Sequence, residues 1–547
     1  MDELSRQEEW KSATSRNFDL AIIGGGIMGT GIARDAAMRG LKVALFEKED
    51  FGHGTTAAAT RLIHGGLRYL EMYDFKLVRE DLREREILLR IAPHLVFPLS
   101  FILPLYDRGF IYRNKLRIGM ILYDLLSYDK SLPNHTFLSR AETVRRLPGI
   151  AVDKLQGAAM YYDATAPLTE RLCVENVISA KENGAVVLNH AKVVGLLRSN
   201  SSINGVRVLD LLDGREYEVT SRLVINASGP WLNQVASDLG LGDDIIRTTK
   251  GVHLVTPKIS EDAAVLFARS DQRLFFVVPW LKFSYIGTTD TDYKGDMDEV
   301  TATEEDVDYL LSEVKRAFPG QSFDTIYYTT AGVRSLAKIE GVPESKVTRK
   351  HIILDHYKRD GIKGIISLIG GKLTAYRGIS KDVVDLACEQ LGVKIPSRTA
   401  AVPLPGGYTG KFSDYLLNQL AGSADRYPLD AEQIEHMIRL YGSRYKEVAA
   451  MTIEDPDLSS RLHPDYPDSR ADVKHAVTKE YACTLADYML RRSDIGFSED
   501  RGEKAASAVG AEMAALLNWT KDRQDQEVES YLAFVRNSRL SIPSGTF

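Results

Sequence analysis

The stretch TRLIHGGLRYLE, residues 60–71, sets two arginines, a histidine, a Gly-Gly pair and a tyrosine within a dozen positions. His64 offers an imidazole that titrates near neutrality and can take a proton from an alcohol. Arg68 and Tyr69 add a cation and a hydroxyl, and Gly65 and Gly66 leave the backbone free to approach a ligand. Other cations stand close to glycines elsewhere: Arg334 in AGVRSL and Lys372 in GGKLT, with Arg349 in VTRKHIIL. An arginine fork bonds two phosphate oxygens at once, whereas lysine acts as a point charge. Together these groups can hold a small anion beside a general base. Each also has a plainer reading. A single arginine is more often in a surface ion pair, and a single histidine often only packs. His253 in KGVHLV is a second candidate base, and Asp290 in IGTTD can orient a site group or cap a turn. Arg61 has no evident role beyond the surface.

The elements that must position these groups begin with a nucleotide unit. FDLAII, residues 18–23, is a short apolar run ending in glycines, as in a buried parallel strand. Gly24-x-Gly26-x-x-Gly29 opens a helix closed by Gly40, and LKVALFEKED gives a second strand ending at Glu47. The first glycine makes a tight turn, the second lets backbone approach a pyrophosphate, and the third packs helix on strand. The helix N-terminus presents unpaired N–H groups to phosphate. A carboxylate at Glu47 can bond a ribose hydroxyl and favours FAD or NAD over NADP. The loop FGHGTTAAATR, with Thr55 and Thr56, can run along a pyrophosphate. Later strands end in NASGPW, with Ala227 and Gly229, and in IGGKLT, with Gly370 and Gly371. Several separated strand ends meeting one extended cofactor suit a flavin dinucleotide better than NAD.

The rest of the chain reads as ordinary globular protein. It has 547 residues, 44% hydrophobic and 26% charged, enough for several domains. The net charge of −6 argues against a nucleic-acid partner. Cys173, Cys388 and Cys483 form no CxxC pair, which fits a reducing cytoplasm and predicts no metal site. The charged N-terminus lacks a secretory h-region, and no run of about 18 apolar residues suggests a membrane span. LVFPLSFILPLY, from Leu95, reads as strand entering a buried sheet. Residues 76–92 read as an amphipathic helix whose charges form a solvated face. Residues 110–130 alternate Arg113, Lys115 and Arg117 with apolar residues. They suit a membrane surface or, more plainly, a core helix with a basic edge. Prolines and glycines cluster at 402–407, and the pattern beyond is helical, so a boundary is expected near 400.

IIGGGIMGTGIARDAAMRG, RLIHGGLRYLE, NASGPW, VVPW with IGTTD, AGVRSL and IGGKLTAYR follow one another from about residue 18 to 380. On these motifs the chain resembles the FAD-dependent, quinone-linked glycerol-3-phosphate dehydrogenases of the glycine/D-amino-acid oxidase group. The resemblance implies an α/β Rossmann-like FAD-binding domain (18–75, 150–240 and 325–395) interleaved with an α+β antiparallel-sheet substrate domain (76–149 and 241–324). An all-α C-terminal domain (400–547) follows. It also implies oxidation of sn-glycerol 3-phosphate to dihydroxyacetone phosphate, with hydride transfer to FAD and electrons passed to a quinone. The enzyme would be cytoplasmic, peripheral on the inner membrane face, and a homodimer. Arg334, Arg349, Lys372 and Thr374 would lie near the substrate, with Arg68 and Tyr69 facing it. His64, Arg334 and Lys372 would carry the chemistry. Cofactor contacts would come from Gly24, Gly26, Gly29, Glu47, Thr55, Thr56, His64, Gly65, Gly66, Val193, Ala227, Gly229, Gly370, Gly371, Lys372, Leu373 and Thr374. Gly65 and Gly66 would pass the flavin ring. Lys372 would serve either the phosphate or the charge of reduced flavin. The alternatives are an oxygen-using glycerol-3-phosphate oxidase or an amine oxidase of the same group. A flavin-containing regulator or RNA binder is disfavoured by the acidic balance.

Overall fold

The run FDLAII forms the strand Phe18–Ile23, almost wholly buried at the centre of a parallel sheet. The computed structural model describes residues 3–106, 109–200, 202–241, 245–338, 351–423 and 426–542. Val43–Phe46 and Glu216–Asn226 flank the central strand, with Val186–Leu188 and Ile365–Ile369 outside them, all parallel. Ile352–Asp355 closes one edge antiparallel. The helices Ile27–Met38, Thr169–Glu182 and Tyr376–Leu391 pack together on one face. The helix Glu3–Ser15 and the hairpin Ala191–Ser199/Ser202–Asp210 contribute to a second core on the same sheet.

The glycines of the first turn are needed for shape. Gly24 has φ +100°, in the left-handed region, and a Cβ there would stand 2.7 Å from the Ala227 carbonyl. A Cβ on Gly29 would meet the Gly24 carbonyl oxygen at 1.8 Å. Helix and strand therefore touch backbone to backbone, and this close approach sets where the helix begins.

A second, larger sheet lies beside the first. In order its strands are Thr291–Asp292, Ile246–Pro257, Phe283–Gly287, Leu274–Trp280, Ala263–Phe267, Phe97–Tyr106, Leu155–Thr165 and Leu62–Ile63. Tyr328–Ala337 also pairs with Ile246–Pro257, and Thr136–Ser139 with Leu155–Thr165. The sheet is antiparallel apart from a short parallel contact between Phe97–Tyr106 and Ala263–Phe267. Pro98 and Pro104 fall outside the two positions of that contact, so the missing N–H groups do not interrupt it. Sheet membership departs from the expected division. Leu155–Thr165 and Tyr328–Ala337, expected in the nucleotide unit, run in this second sheet. Which sheet a strand joins is set by distant partners and leaves no local mark.

Beyond residue 400 the chain is helical around two small cores of its own. Its principal helices are Phe412–Ser423, Ala431–Tyr441, Tyr445–Glu454, Arg470–Lys479, Ala506–Leu517 and Lys521–Asn537. This region is bonded to both sheet units: Arg171 to Glu480, and Tyr328 Oη to the Phe497 carbonyl.

The helix–strand contact gives a direct check. Gly29→Ala should force the two backbones apart, a cost of about 1–3 kcal/mol. It should appear as a lowered melting temperature in a thermal scan. An unchanged melting curve would contradict the contact.

Candidate functional site

Where the parallel strands end, the chain encloses a cavity of about 350 Å³. Each central strand delivers residues to it. Gly24 and Gly26 follow Phe18–Ile23, and Glu47 follows Val43–Phe46. Ala227 and Gly229 follow Glu216–Asn226, and Gly370 to Thr374 follow Ile365–Ile369. Open parallel sheets bind their ligands in this position, past the carboxyl ends of the strands. Thr55, Thr56, His64, Tyr69 and Val193 line the same space, and the second sheet adds Gly251, Gly332 and Arg334.

At the glycine-rich turn, Gly26 caps the helix Ile27–Met38 without a capping side-chain bond of its own. The Ile27 N–H donates to Thr56 Oγ1 at 3.1 Å. Glu47 accepts from the N–H groups of Gly25 at 2.5 Å and Glu49 at 2.8 Å. Burial pushes its carboxyl above the usual carboxylate range, against those two donors. The Thr55 hydroxyl donates to the Val333 carbonyl and ties this loop to the second sheet.

The cations sit on three separate elements. Arg334 lies on Tyr328–Ala337, where Nη2 donates to Thr288 Oγ1 at 2.9 Å and Nη1 reaches Asp290 Oδ1 at 3.3 Å. Asp290 is thus in contact with the Arg334 guanidinium. Gly251 and Gly332 face each other across the two strands beside Arg334. A Cβ on Gly251 would stand 2.3 Å from Arg334 Nη2. Lys372 places Nζ 3.7 Å from the centre of the Tyr69 ring and pairs with Asp81. The buried Thr374 hydroxyl accepts from the His64 N–H at 3.0 Å, so it clasps the two glycine motifs together.

Several expected residues are placed otherwise. Gly65 and Gly66 are buried behind the wall and do not line the cavity. Gly65 donates to Tyr123 Oη at 3.1 Å, and Gly66, at φ +72°, packs under Tyr69. Gly29 does not line the cavity either; it serves the helix–strand contact. His253 is buried, stacked on Tyr285 and bonded to Thr60, and burial holds its imidazole well below its usual range. Arg61 is not on the surface. It is 1% exposed, doubly bonded to Glu170 at 2.9 Å, and stacked on Trp280 and Phe497. Arg68 begins the short helix Arg68–Glu71, but its side chain, like all of Arg349, lies outside the described residues.

The largest correction concerns the helix Phe75–Ile91. Asp81, Glu84 and Arg85 were read as solvated, yet they are 0%, 8% and 0% exposed. Asp81 pairs with Lys372, Glu84 with Arg377, and Arg85 with Asp163. A signal was present: these positions fall between Leu77 and Leu88 on the apolar stripe, and Leu77 and Leu88 are buried too. Gly251 and Gly332 carry a local signal too, since glycine inside a strand marks close approach.

Residues 19–377 match the family described as FAD dependent oxidoreductase. Residues 397–524 match the C-terminal domain of alpha-glycerophosphate oxidase. A glycerol-3-phosphate dehydrogenase of Synechocystis is 38% identical, over 95% of this chain and 97% of that one. An aerobic glycerol-3-phosphate dehydrogenase of Staphylococcus haemolyticus is 33% identical, over 99% and 97%. The solved glycerol-3-phosphate dehydrogenase of Bacillus halodurans, complexed with FAD, superposes with a TM-score of 0.81 at 26% identity, covering 99% of both chains.

The chain belongs to the FAD-dependent oxidoreductases. FAD is therefore its cofactor, and the residues present fit it. The glycine-led helix start at Gly26, the open space before it and the carboxylate of Glu47 form a cradle for a dinucleotide. Gly370, Gly371 and Leu373 would line the flavin-bearing part of the same cavity. Thr55 and Thr56 would run beside the pyrophosphate, and Val193, Ala227 and Gly229 would close the remaining wall.

In this flavoprotein the helical C-terminal region braces the cofactor loop from behind. Asp50, three residues past Glu47, is fully buried. It accepts from Arg491 Nε at 2.5 Å, Arg492 Nη2 at 2.9 Å and Asn189 Nδ2 at 2.8 Å. Both arginines lie on the single π-helical turn Tyr488–Arg492. Gly52 in the same loop donates to the Gly25 carbonyl at 3.0 Å, which connects the brace to the glycine-rich turn. Arg492→Met should cost about 3–5 kcal/mol by leaving a buried carboxylate short of a partner. Lower melting temperature and loss of flavin on gel filtration are the expected readouts. Full flavin retention with unchanged melting would contradict the brace.

Proposed function

We propose that this flavoprotein oxidises sn-glycerol 3-phosphate to dihydroxyacetone phosphate and passes the electrons to a membrane quinone. The observation that carries the reading is the convergence of Arg334, Lys372 and His64, from three distant motifs, on the cavity that also holds Gly24, Gly26 and Glu47. Relatives of similar length carry the name glycerol-3-phosphate dehydrogenase, which agrees with it.

The substrate is a small dianion carrying a secondary alcohol. The Arg334 fork, oriented by Thr288 and Asp290, binds two phosphate oxygens. Lys372 adds a point charge, and Tyr69, under its ammonium, shapes the pocket wall. His64 accepts the hydroxyl proton as the C2 hydrogen leaves. FAD bound in the cavity supplies the hydride acceptor. Arg68 and Arg349 are the further cations proposed for the phosphate.

Contact with a membrane is supported by the helix Gly109–Leu126. Met120 and Tyr123 face the core, but Ile118, Ile121 and Leu125 are 66%, 52% and 64% exposed. The helix is thus not the core element its plainer reading suggested. The exposed Arg113, Lys115 and Arg117 precede these residues, giving the basic and apolar surface of an interfacial helix. No helix among the described residues is long and apolar enough to cross a membrane. A second reading, direct use of oxygen, is favoured by the C-terminal match to the oxidase domain. Fast peroxide release with no gain from a quinone analogue would select it.

Adding sn-glycerol 3-phosphate without oxygen should bleach the flavin absorption, and an unbleached spectrum would refute the assigned substrate. Arg334→Ala should lower kcat/KM by roughly a hundredfold or more, chiefly through KM, because charge-assisted bonds are lost. Flavin content should not change; loss of flavin instead would assign Arg334 to the cofactor. Replacing Ile118, Ile121 and Leu125 together by glutamate should abolish co-sedimentation with anionic vesicles while leaving flavin content unchanged. Retained binding would place the contact elsewhere.

A further inference from the structure

Lys372 does not stand alone in the cavity wall. Its ammonium is paired with the Asp81 carboxylate on the helix Phe75–Ile91 and lies over the Tyr69 ring. Asp81 is fully buried, and its other oxygen, Oδ1, has no hydrogen-bond partner among the described residues. Lys372 is its one ion-pair partner among those residues. The lysine side chain is itself only 12% exposed.

We propose that Asp81 is a positioning residue for substrate binding, which holds the Lys372 ammonium fixed on the Tyr69 ring, facing the cavity. The inference rests on the phosphate-binding reading of Lys372 given above. A lysine has a flexible four-carbon stem that does not by itself fix where its charge points. In a wall this enclosed, the carboxylate behind the ammonium anchors its position. The ring beneath it limits the stem to one direction. The remaining N–H donors are then left to point at the bound anion.

The same helix shows that this pairing is directed. Glu84, one turn further on, bonds Arg377 through Nε at 2.7 Å. Lys372 and Arg377 belong to one motif, GGKLTAYR, so the helix grips that motif at two points. Only Lys372 of the two lines the cavity. Arg377 is buried and also bonded to Thr399. The Glu84 pair therefore secures the motif, and the Asp81 pair adds a consequence for the ligand.

The test is a double-mutant cycle on the holoenzyme, with flavin content, KM and kcat measured for each variant. Asp81→Asn should raise KM for sn-glycerol 3-phosphate about tenfold or more, the scale of one charge-assisted hydrogen bond. It should leave flavin content and kcat nearly unchanged. In a Lys372→Met background the same substitution should add almost nothing. Asp81→Glu, which keeps the charge, should recover part of the affinity. Inorganic phosphate, followed through the flavin spectrum, should weaken in parallel without any turnover. Glu84→Gln should lower the melting temperature while KM stays near wild type.

Unchanged or lowered KM in Asp81→Asn would overturn the proposal. So would full additivity with Lys372→Met, or an equal rise in KM in Glu84→Gln. If Lys372→Met itself leaves KM unchanged, the phosphate-binding reading of Lys372 fails. If Lys372→Met raises KM and Asp81→Asn does not, the positioning role alone fails.

Discussion

The site depends on buried opposite charges at the seam between the two sheet units. The helix Phe75–Ile91 carries Asp81, Glu84 and Arg85 inward: Asp81 and Glu84 meet Lys372 and Arg377 of the GGKLTAYR motif, and Arg85 meets Asp163. Removing one member of such a pair leaves a charge where water cannot reach it. The GGKLT motif is therefore fixed to this helix at two points, and the His64 motif is tied to it through Thr374. These bonds hold the polar groups of the cavity in place. Preorganised charge stabilises an anion or a developing charge more effectively than charge that must first move.

A second buried cluster does comparable work at the nucleotide end. Asp50, held by Arg491 and Arg492, sits in the loop that continues from Glu47. His190 and Asp487 extend the cluster at 2.9 Å, with Asp487 held well below the usual carboxylate range. Burial alone would raise that carboxyl, and the His190 and Arg491 charges reverse the effect. The all-helical region contributes no side chain to the cavity lining among the described residues. It acts on the cofactor loop from the far side. The arrangement explains why a flavin-binding fold continues into a helical region packed along its back.

Much of the nucleotide half was legible because its signals are local. A strand, a glycine turn, a helix and an acid at fixed spacing define the dinucleotide unit. Gly24, Gly26 and Glu47 stand where that spacing puts them. The cations Arg334 and Lys372 were legible because each is close to a glycine that lets backbone approach a ligand. What stayed hidden was set by long-range pairing. Leu155–Thr165 and Tyr328–Ala337 looked like any strands, and only distant partners decide their sheet. Arg61 looked like a surface charge, although it is paired with Glu170, 109 positions along the chain. Asp81 and Arg85 lay on an apolar stripe, a conflict between local pattern and charge that pointed to buried ion pairs. Spacing alone did not decide between a membrane-surface and a core helix at residues 110–130, because it does not show which side of a helix the protein covers; Ile118, Ile121 and Leu125 are left exposed.

Selectivity for a phosphorylated alcohol is the central claim, because the cavity joins a flavin cradle to fixed cations. The most direct measurement is anaerobic stopped-flow reduction of the bound flavin by sn-glycerol 3-phosphate and, separately, by glycerol. The two share the same reacting alcohol and differ in the phosphate. The account predicts saturable reduction by the phosphate ester and a second-order rate constant for glycerol lower by at least about a hundredfold. Comparable rate constants for the two would contradict it.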